Sequence, residues 1–381
     1  MLSALRRLKR RSGDQQAELR FDRPLLLLQS DDWGRVGVRD REGWEQLQAE
    51  GIDLGEKPYD FYTLETAEDL EALCALLKKH RDSVGRSPSM TLNFIVANVD
   101  FDRCFDAPSD PIPLVPLSEG LPGQWRRPRL LDAYRQGIQD GVFFPGLHGL
   151  THFCAKAVTR ELEAGGERCE LIRRMWRAQT PYIHWRMPWI GYEYHDSTVK
   201  PDSQFLNLDE QRGAIGRAAE IYRGLFSADP ISACAPGYRA NADTRTAWSE
   251  AGVRVVQNGP GPRNGAYLGP DGTLHTFRNV EIEPAIAAPD VDSLMRKADL
   301  CFRRGLPVIV SIHSINFHST IRDNRTTTLA VLDKFLTRME RRWPDLLYVH
   351  DADLFRIATE GFYLAQGVKV SVGATKAGEA T

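Results

Sequence analysis

The sequence predicts an α/β fold, a distorted (β/α) barrel with about seven parallel strands. Short runs of consecutive apolar residues recur along the chain, as at 24–29 and 91–96, and such runs are typical of strands buried on both faces. Stretches with the apolar spacing of amphipathic helices separate these runs, and this alternation indicates right-handed βαβ units around a mostly parallel sheet. No Gly-x-Gly-x-x-Gly follows the first strand, so the dinucleotide-binding motif is absent. An open doubly wound sheet is the alternative architecture.

The first strand is predicted at 24–29, and the first clear helix lies within 66–79. There, Thr66 and Asp69 have the spacing of a capping box and four leucines share one face. The remaining strands are predicted at 91–96, 142–144, 231–235, 253–257, 307–312 and 346–349. Further helices are predicted at 129–140, 156–178, 209–226 and about 329–339. Seven or eight such units with one apparent core favour a barrel over two separate lobes.

The 381 residues are expected to comprise a flexible basic leader at 1–20, a single barrel domain at 21–365 and a disordered tail at 366–381. The leader is rich in Lys and Arg, and the tail is small and polar, as chain ends without fixed structure commonly are. Length alone is compatible with this layout, because α/β barrels commonly occupy about 250 residues as one domain.

Composition excludes several classes of protein. Lys and Arg number 49 against 51 Asp and Glu, a net charge of −2, so no broad cationic field is present to bind nucleic acid. No apolar run approaches the roughly 20 residues that cross a bilayer. The six cysteines form no Cys-x-x-Cys pair, which favours reduced thiols over disulfides or a structural zinc site. Because no apolar segment follows the basic start, as a secretion signal requires, we expect a cytoplasmic protein.

Titratable residues gather where three predicted strands end. Asp31 and Asp32 follow the first strand, His148 and His152 follow the third, and His313 ends the strand at 307–312. All three strand ends belong to the edge at which parallel α/β proteins bind ligands. Each residue also has an ordinary structural explanation: an aspartate can cap a turn, and a lone histidine is often a hydrogen-bonded core residue. The convergence of all five on one edge favours a functional site.

One carboxylate and two imidazoles can hold a divalent cation and leave room for water. A zinc ion bound in this way lowers the pKa of its water from ~16 towards ~7. A second carboxylate can then take a proton from that water, and a histidine across the site can protonate a departing group. Zinc is the favoured ion because nitrogen and oxygen donors with an open fourth position suit it, and cobalt, nickel or manganese would also fit. The residue types therefore predict a metal-dependent hydrolase.

The Asp-Asp pair, the His-x-x-x-His and the late strand-end histidine occur in an order that resembles the polysaccharide deacetylase family. This family, carbohydrate esterase family four and its relatives, belongs to the glycoside hydrolase/deacetylase barrels, and the resemblance covers about residues 24–358. It implies that Asp31 is the general base, that Asp32, His148 and His152 bind the metal, and that His313 is the general acid. It also implies removal of an acetyl group, N-acetyl favoured, from a carbohydrate.

The third family motif is altered in this chain. The family has Arg two residues before a Pro, and here Cys234 stands two residues before Pro236. Arg239, which follows the motif, is the candidate for the missing guanidinium. The remaining candidates for substrate binding or support are Trp33, Tyr238, Arg239, Glu283 and Asn316. Of these, Glu283 is expected to orient the catalytic histidine, and Asn316 is equally expected to cap a loop.

The leading hypothesis is therefore a metal-dependent carbohydrate deacetylase with a carbohydrate as its partner and no nucleic acid. A glycosidase on a related barrel is one alternative; such an enzyme needs two carboxylates about 5–10 Å apart and no metal. A catalytically silent glycan-binding relative is a second. An iron-dependent oxygenase is a third, because two histidines and one carboxylate also form its ligand set, although that set usually occurs on all-β folds.

Overall fold

The structure, a computed structural model, describes residues 17–104, 112–261 and 265–376. Its strands are β1 (Leu19–Phe21), β2 (Leu25–Trp33), β3 (Met90–Ile95), β4 (Ala97–Val99), β5 (Leu114–Pro116), β6 (Phe143–Gly149), β7 (Ser232–Cys234), β8 (Val255–Asn258), β9 (Gly265–Leu268), β10 (Leu274–Phe277), β11 (Val280–Glu281), β12 (Val308–His313), β13 (Leu347–Tyr348), β14 (Phe362–Ala365), β15 (Val368–Ser371) and β16 (Ala374–Lys376). Its α-helices are α1 (Arg41–Ala49), α2 (Ala67–Leu77), α3 (Leu130–Gln139), α4 (Ala155–Ala164), α5 (Gly166–Arg177), α6 (Leu208–Phe226), α7 (Ala242–Glu250), α8 (Val291–Arg303), α9 (Arg325–Arg342) and α10 (Asp351–Glu360).

The central sheet is a curled half-barrel of mostly parallel strands. Its order is β11-β12-β2-β3-β6-β7-β8-β10-β9, and β13 pairs with the start of β2. Every pairing in this sheet is parallel except that of β10 with β9. The α/β class is confirmed, but the predicted count of about seven strands is not, because the described residues place ten strands in the sheet. The three strands of this sheet that were not predicted, β9, β10 and β11, are short and carry too few residues to show a clear apolar pattern.

Strand β2 is buried along its whole length and alternates between two cores. Leu26 and Leu28 pack in the larger core together with the surrounding helices, whereas Leu25 and Leu27 pack in a smaller core inside the curl of the sheet. The paired strand β12 repeats this pattern, with Ile309 beside Leu27 in the inner core. The inward face is therefore apolar at the start of the parallel strands.

The same inward face becomes polar towards the carboxyl ends of the strands. Gln29 pairs with Ser311 in the β2–β12 register, and Asp31 pairs with His313 two residues further along both strands. Below them, Asp351 at the start of α10 accepts hydrogen bonds from Gln29 (2.7 Å). Thr91 and Gln257 donate to the same carboxylate. A buried layer of hydrogen-bonded polar side chains thus lies between the inner apolar core and the strand-end residues.

Both chain ends differ from expectation. Residues 1–16 of the predicted leader lie outside the described residues, but its last two residues, 19 and 20, belong to β1, which pairs with β16. Within the predicted disordered tail, 366–376 contain β15 and β16, and 377–381 lie outside the described residues. Pairing with β1 and β14 supplies the order that small polar residues alone did not indicate.

Three further features bear on the sequence predictions. The helix expected at 156–178 is divided into α4 and α5 at Gly165 and Gly166, both of which have positive φ (70° and 80°). No helix in the described ranges is long and apolar enough to cross a bilayer. All six cysteines are free thiols.

Candidate active site

The residues predicted from the strand ends surround one cavity of about 430 Å³ at the carboxyl edge of the sheet. Asp31, Asp32, His148, His152 and His313 all line it. Most of its other walls are aromatic or apolar, and they include Val38, Pro58, Tyr59, Tyr62, Tyr182, Ile183, His184, Trp185, Tyr192, Tyr238 and Ile286. The fold therefore brings together all five titratable residues that the sequence analysis placed at one edge.

Asp31 is held on both carboxylate oxygens. The guanidinium of Arg278 binds it in a bidentate pair, with Nη1 to Oδ2 and Nη2 to Oδ1 both at 2.6 Å. Asn93 donates a further hydrogen bond to Oδ1 at 2.7 Å. Burial would raise the pKa of Asp31, but Arg278 together with His148 and His313 holds it well below its usual range. Asp31 is thus an ionised carboxylate in a fixed orientation.

Arg278, and not Arg239, supplies the guanidinium that the altered third motif lacks. Arg278 follows β10 directly, is 1% exposed, and reaches Asp31 past Cys234, whose Sγ lies 3.7 Å from Nη2. The small thiol at 234 leaves space that an arginine there would fill. Arg239 follows the 3₁₀ turn Pro236–Tyr238, is exposed, and does not line the cavity.

Asp32 points away from Asp31 because the backbone is bent between them. Its φ is 73°, in the left-handed region, and the β2–β3 register shifts between Ser30 and Trp33. The hydroxyl of Tyr62 donates to the Asp32 carbonyl oxygen at 2.7 Å and so holds this bend. The bend allows adjacent aspartates to serve different purposes.

Asp32, His148 and His152 form a group whose ligand atoms lie within 4.8 Å of one another. The Nε2 atoms of His148 and His152 are 3.5 and 3.3 Å from Asp32 Oδ1, and this buried oxygen accepts no well-oriented hydrogen bond. His148 Nδ1 donates to the Cys234 carbonyl at 2.9 Å, and this contact turns Nε2 towards Asp32. Burial lowers the pKa of His152 and keeps it neutral. An unsatisfied carboxylate oxygen with two imidazole nitrogens facing it fits a divalent cation.

A second group with metal-ligand spacing, Asp31, His148 and Cys234, is a poorer site. Both oxygens of Asp31 are already bound by a cation, Arg278, which would repel an ion placed there. Burial, with the charge of Asp31, raises the pKa of the Cys234 thiol well above its usual range and keeps it protonated. The donor chemistry therefore favours the group around Asp32.

The turn between the two histidines is held by Glu193. The backbone N–H groups of Leu150 and Thr151 donate to Glu193 Oε1 at 2.8 and 3.1 Å. Burial raises the pKa of Glu193 to about 7. No local motif marks Glu193, so the sequence alone does not predict its role.

His313 is paired with Glu283, as the sequence analysis expected. Its Nδ1 is 2.7 Å from Glu283 Oε1, while its Nε2 faces the cavity 3.8 Å from Asp31 Oδ2. Burial would lower the pKa of His313, but Glu283 and the two aspartates raise it to about 9. Asn316 lies behind this pair, where it donates to Glu283 and to the His313 carbonyl and accepts from Ala285. It supports the pair and does not line the cavity.

The two remaining candidates lie in different surroundings. Trp33 is fully buried, donates its indole N–H to the Ser30 hydroxyl and stacks on Phe317, so it is a core residue and not a substrate contact. Tyr238 lines the cavity, and its hydroxyl accepts from Arg278 Nη1 at 2.9 Å. The backbone N–H groups of Tyr238 and Arg239 donate within the turn, to Ala235 and Pro236, and neither is available as an oxyanion donor.

Two arginines at the site were not found from the sequence. Arg278 follows a strand that was not predicted, because β10 contains His275 and Thr276 among only four residues. Arg35, which lies 3.2 Å from Asp32 Oδ1, follows the two aspartates by three residues, and nothing in the local sequence pattern marks it. Like the other site residues, Arg278 follows the carboxyl end of a parallel strand, so a prediction of β10 would have placed it at the same edge.

Comparison with known proteins gives structural likeness only. No family model and no curated protein matches the chain. Similar solved structures include a protein classed as a glycoside hydrolase/deacetylase from Parabacteroides distasonis, 11% identical with a TM-score of 0.49, over 91% of this chain and 74% of that one. A protein classed as a polysaccharide deacetylase from Mycobacterium smegmatis is 12% identical with a TM-score of 0.44, over 90% and 91%. A CE4 family pseudoenzyme from Bacillus anthracis is 11% identical with a TM-score of 0.39, over 88% and 66%.

Proposed function

We propose that the chain is a metal-dependent hydrolase that removes an acetyl group, N-acetyl favoured, from a carbohydrate. The single observation that carries this proposal is the arrangement of Asp31, Asp32 and His313 around one cavity: an ionised carboxylate, a metal-ligand set and a protonated imidazole. Zinc is the favoured ion, with cobalt, nickel or manganese as alternatives. A cytoplasmic location remains part of the proposal.

Each group has a defined task in amide hydrolysis. Asp32, His148 and His152 would hold the cation, which supplies acidification of water and stabilisation of the developing oxyanion. Asp31 accepts a proton from the attacking water while the oxygen of that water forms a bond to the acyl carbon. His313, protonated because of Glu283, donates its Nε2 proton to the leaving nitrogen as the C–N bond breaks. The products are acetate and a free amino sugar.

The glycosidase alternative fits the electrostatics less well. That reaction needs one carboxylic acid kept protonated to donate to the leaving oxygen. Asp31 is bound by Arg278 and Asp32 lies beside Arg35, and the pKa of both carboxyls is well below the usual range. Among the described residues that line the cavity, these are the only carboxylates, so none is suited to act as the acid.

Acetate release from a panel of N-acetylated and O-acetylated sugars tests the proposal. Zinc-loaded protein should release acetate, and a chelator should abolish the release, with recovery when zinc is returned. Cleavage of glycosidic bonds without acetate release would favour the glycosidase. Glycan binding without any turnover, whatever metal is supplied, would favour the silent relative. Oxygen consumption with ferrous iron would favour the oxygenase.

A further inference from the structure

A buried guanidinium, that of Arg35, forms part of the cavity wall beside the candidate metal ligands. Its side chain is 7% exposed, and Nη1 lies 3.2 Å from Asp32 Oδ1. The guanidinium packs against the rings of Tyr62 and Tyr182, at 4.4 and 4.9 Å from their centroids. Two aromatic rings thus fix a permanently charged group next to the place where the acyl group would react.

The guanidinium is only partly satisfied by the protein. Its Nε is buried without a hydrogen-bond partner, and the contact of Nη1 with Asp32 is not a well-oriented hydrogen bond. A planar guanidinium offers five donors, and the Nη groups of Arg35, which lines the cavity, retain capacity to bind a further acceptor.

Three carboxylates at the cavity each have a cationic partner before a metal ion binds. Asp31 is paired with Arg278, Asp32 with Arg35, and His313 with Glu283. A divalent cation on Asp32 adds two positive charges that no further carboxylate of the described lining residues offsets. Lys57 contributes one more positive charge, with Nζ over the Trp185 ring at 3.7 Å. Such an excess is unfavourable in a largely aromatic cavity unless the occupant is negatively charged.

We propose that Arg35 binds an anionic group of the substrate, so that the preferred substrate is an acetylated sugar bearing a carboxylate or a phosphate. This inference rests on the proposed deacetylase function. When a cation takes over as the counter-ion of Asp32, the charge of Arg35 becomes available to the substrate, with Lys57 as a second contact. Arg35 is thereby assigned a specificity role, distinct from the proton transfers of Asp31 and His313.

Three sugars that differ in one group test this assignment on zinc-loaded protein: N-acetylglucosamine, N-acetylmuramic acid and N-acetylglucosamine 6-phosphate. We expect kcat/KM for one anionic sugar to exceed that of the neutral sugar by about tenfold or more, chiefly through KM, as charge-assisted hydrogen bonds commonly provide. Which of the two is preferred distinguishes a carboxylate from a phosphate. Arg35→Gln should remove the preference, Arg35→Lys should keep part of it, and Arg239→Gln, which alters an exposed cation outside the cavity, should leave it unchanged.

Binding of the deacetylated products provides a readout without turnover. In calorimetric titrations of zinc-loaded protein, muramic acid or glucosamine 6-phosphate should bind about tenfold or more tightly than glucosamine. The advantage should disappear in Arg35→Gln, and a zinc titration of the same variant establishes that it still binds the metal. If Arg35→Gln does not fold, the wild-type comparison and Arg35→Lys still decide the question.

Equal binding of neutral and anionic products to the wild-type protein would overturn the assignment, as would a preference that survives in Arg35→Gln. Acetate release from all three sugars at equal kcat/KM would overturn it while leaving the deacetylase proposal intact. Conversely, an Arg35-dependent preference for the anionic products with no acetate release from any sugar would support the anion site and count against the deacetylase.

Discussion

Asp31 and Asp32 are neighbours in the chain, but their surroundings are opposite. Asp31 has both oxygens bound, by the guanidinium of Arg278 and the amide of Asn93. Asp32 Oδ1 has three nitrogen atoms at 3.2–3.5 Å and accepts no well-oriented hydrogen bond from any of them. A carboxylate whose oxygens all have hydrogen-bond partners keeps its charge and orientation, whereas one with an unpartnered oxygen can bind a cation. The bend at Asp32 therefore separates two roles that the sequence places side by side.

The largest expected effect separates the two aspartates directly. Asp31→Asn should lower the rate of acetate release by about 10³-fold, within the range for loss of a general base, and leave zinc affinity within a few-fold. Asp32→Asn should lower zinc affinity by more than about 100-fold, beyond what outer-shell partners cost. Calorimetric zinc titration and acetate assays on the same preparations, with thermal melts as a folding control, measure both. Similar losses of zinc affinity in the two variants would erase the distinction.

The next effect concerns the partner of Asp31. Arg278→Gln leaves a buried carboxylate without its counter-charge and should lower the free energy of unfolding by about 3–5 kcal/mol. Arg239→Gln, the exposed control, should change it by less than about 0.5 kcal/mol. Urea unfolding followed by fluorescence measures both. Comparable stabilities for the two variants would show that Arg278 does not hold Asp31 as described.

A double variant sharpens the same point. Arg278→Cys with Cys234→Arg moves the guanidinium back to the motif position on β7, from which Cys234 Sγ already lies 3.8 Å from Asp31 Oδ2. We expect the double variant to release acetate faster than Arg278→Cys alone, because either position directs a guanidinium at Asp31. No recovery, in a variant that folds and binds zinc, would mean that the two positions are not equivalent.

A smaller loss of zinc affinity is expected when the turn between His148 and His152 is disturbed. Glu193→Ala removes the acceptor of the Leu150 and Thr151 N–H groups and should weaken zinc binding by about tenfold, as loss of an outer-shell partner commonly does. Glu193→Gln retains an acceptor oxygen and is the matched control, with affinity near that of the wild type. If the two variants bind zinc equally, the turn does not depend on this carboxylate.

The smallest effect is a shift in pH dependence. His313 must be protonated to act as the acid, so the rate should fall as the pH rises through its pKa of about 9. Glu283 raises that pKa, and Glu283→Gln should therefore move the alkaline fall in kcat to lower pH. Glu281→Gln, at an exposed neighbouring carboxylate on β11, serves as the control and should leave the profile unchanged. An unshifted alkaline limb in Glu283→Gln would remove His313 from the acid role.

Much of the site could be predicted because its residues follow strands that are easy to recognise. β2 and β12 are continuous apolar runs, and parallel strands deliver their carboxyl ends to one edge, so Asp31, Asp32 and His313 could be placed together without any long-range information. His148 and His152 follow the third predicted strand, so they could be placed at the same edge. Their chemical roles remain predictions until the variants are measured.

The parts that could not be predicted depend on contacts between distant segments. Arg278 lies 247 residues from Asp31 and follows a four-residue strand whose identity comes from its pairing with β8 and β9. The ordered chain end at 366–376 likewise depends on pairing, of β15 with β14 and of β16 with β1. Short strands with mixed polarity carry little local pattern, so their assignment needs the fold itself.

The most direct measurement is an anomalous difference map from a crystal of zinc-loaded protein. The account predicts one strong peak at coordinating distance, about 2.0–2.2 Å, from an oxygen of Asp32 and from Nε2 of His148 and His152, with Asp31 still bound to Arg278. A peak on the group formed by Asp31, His148 and Cys234, or no peak between Asp32 and the two histidines under saturating zinc, would contradict it.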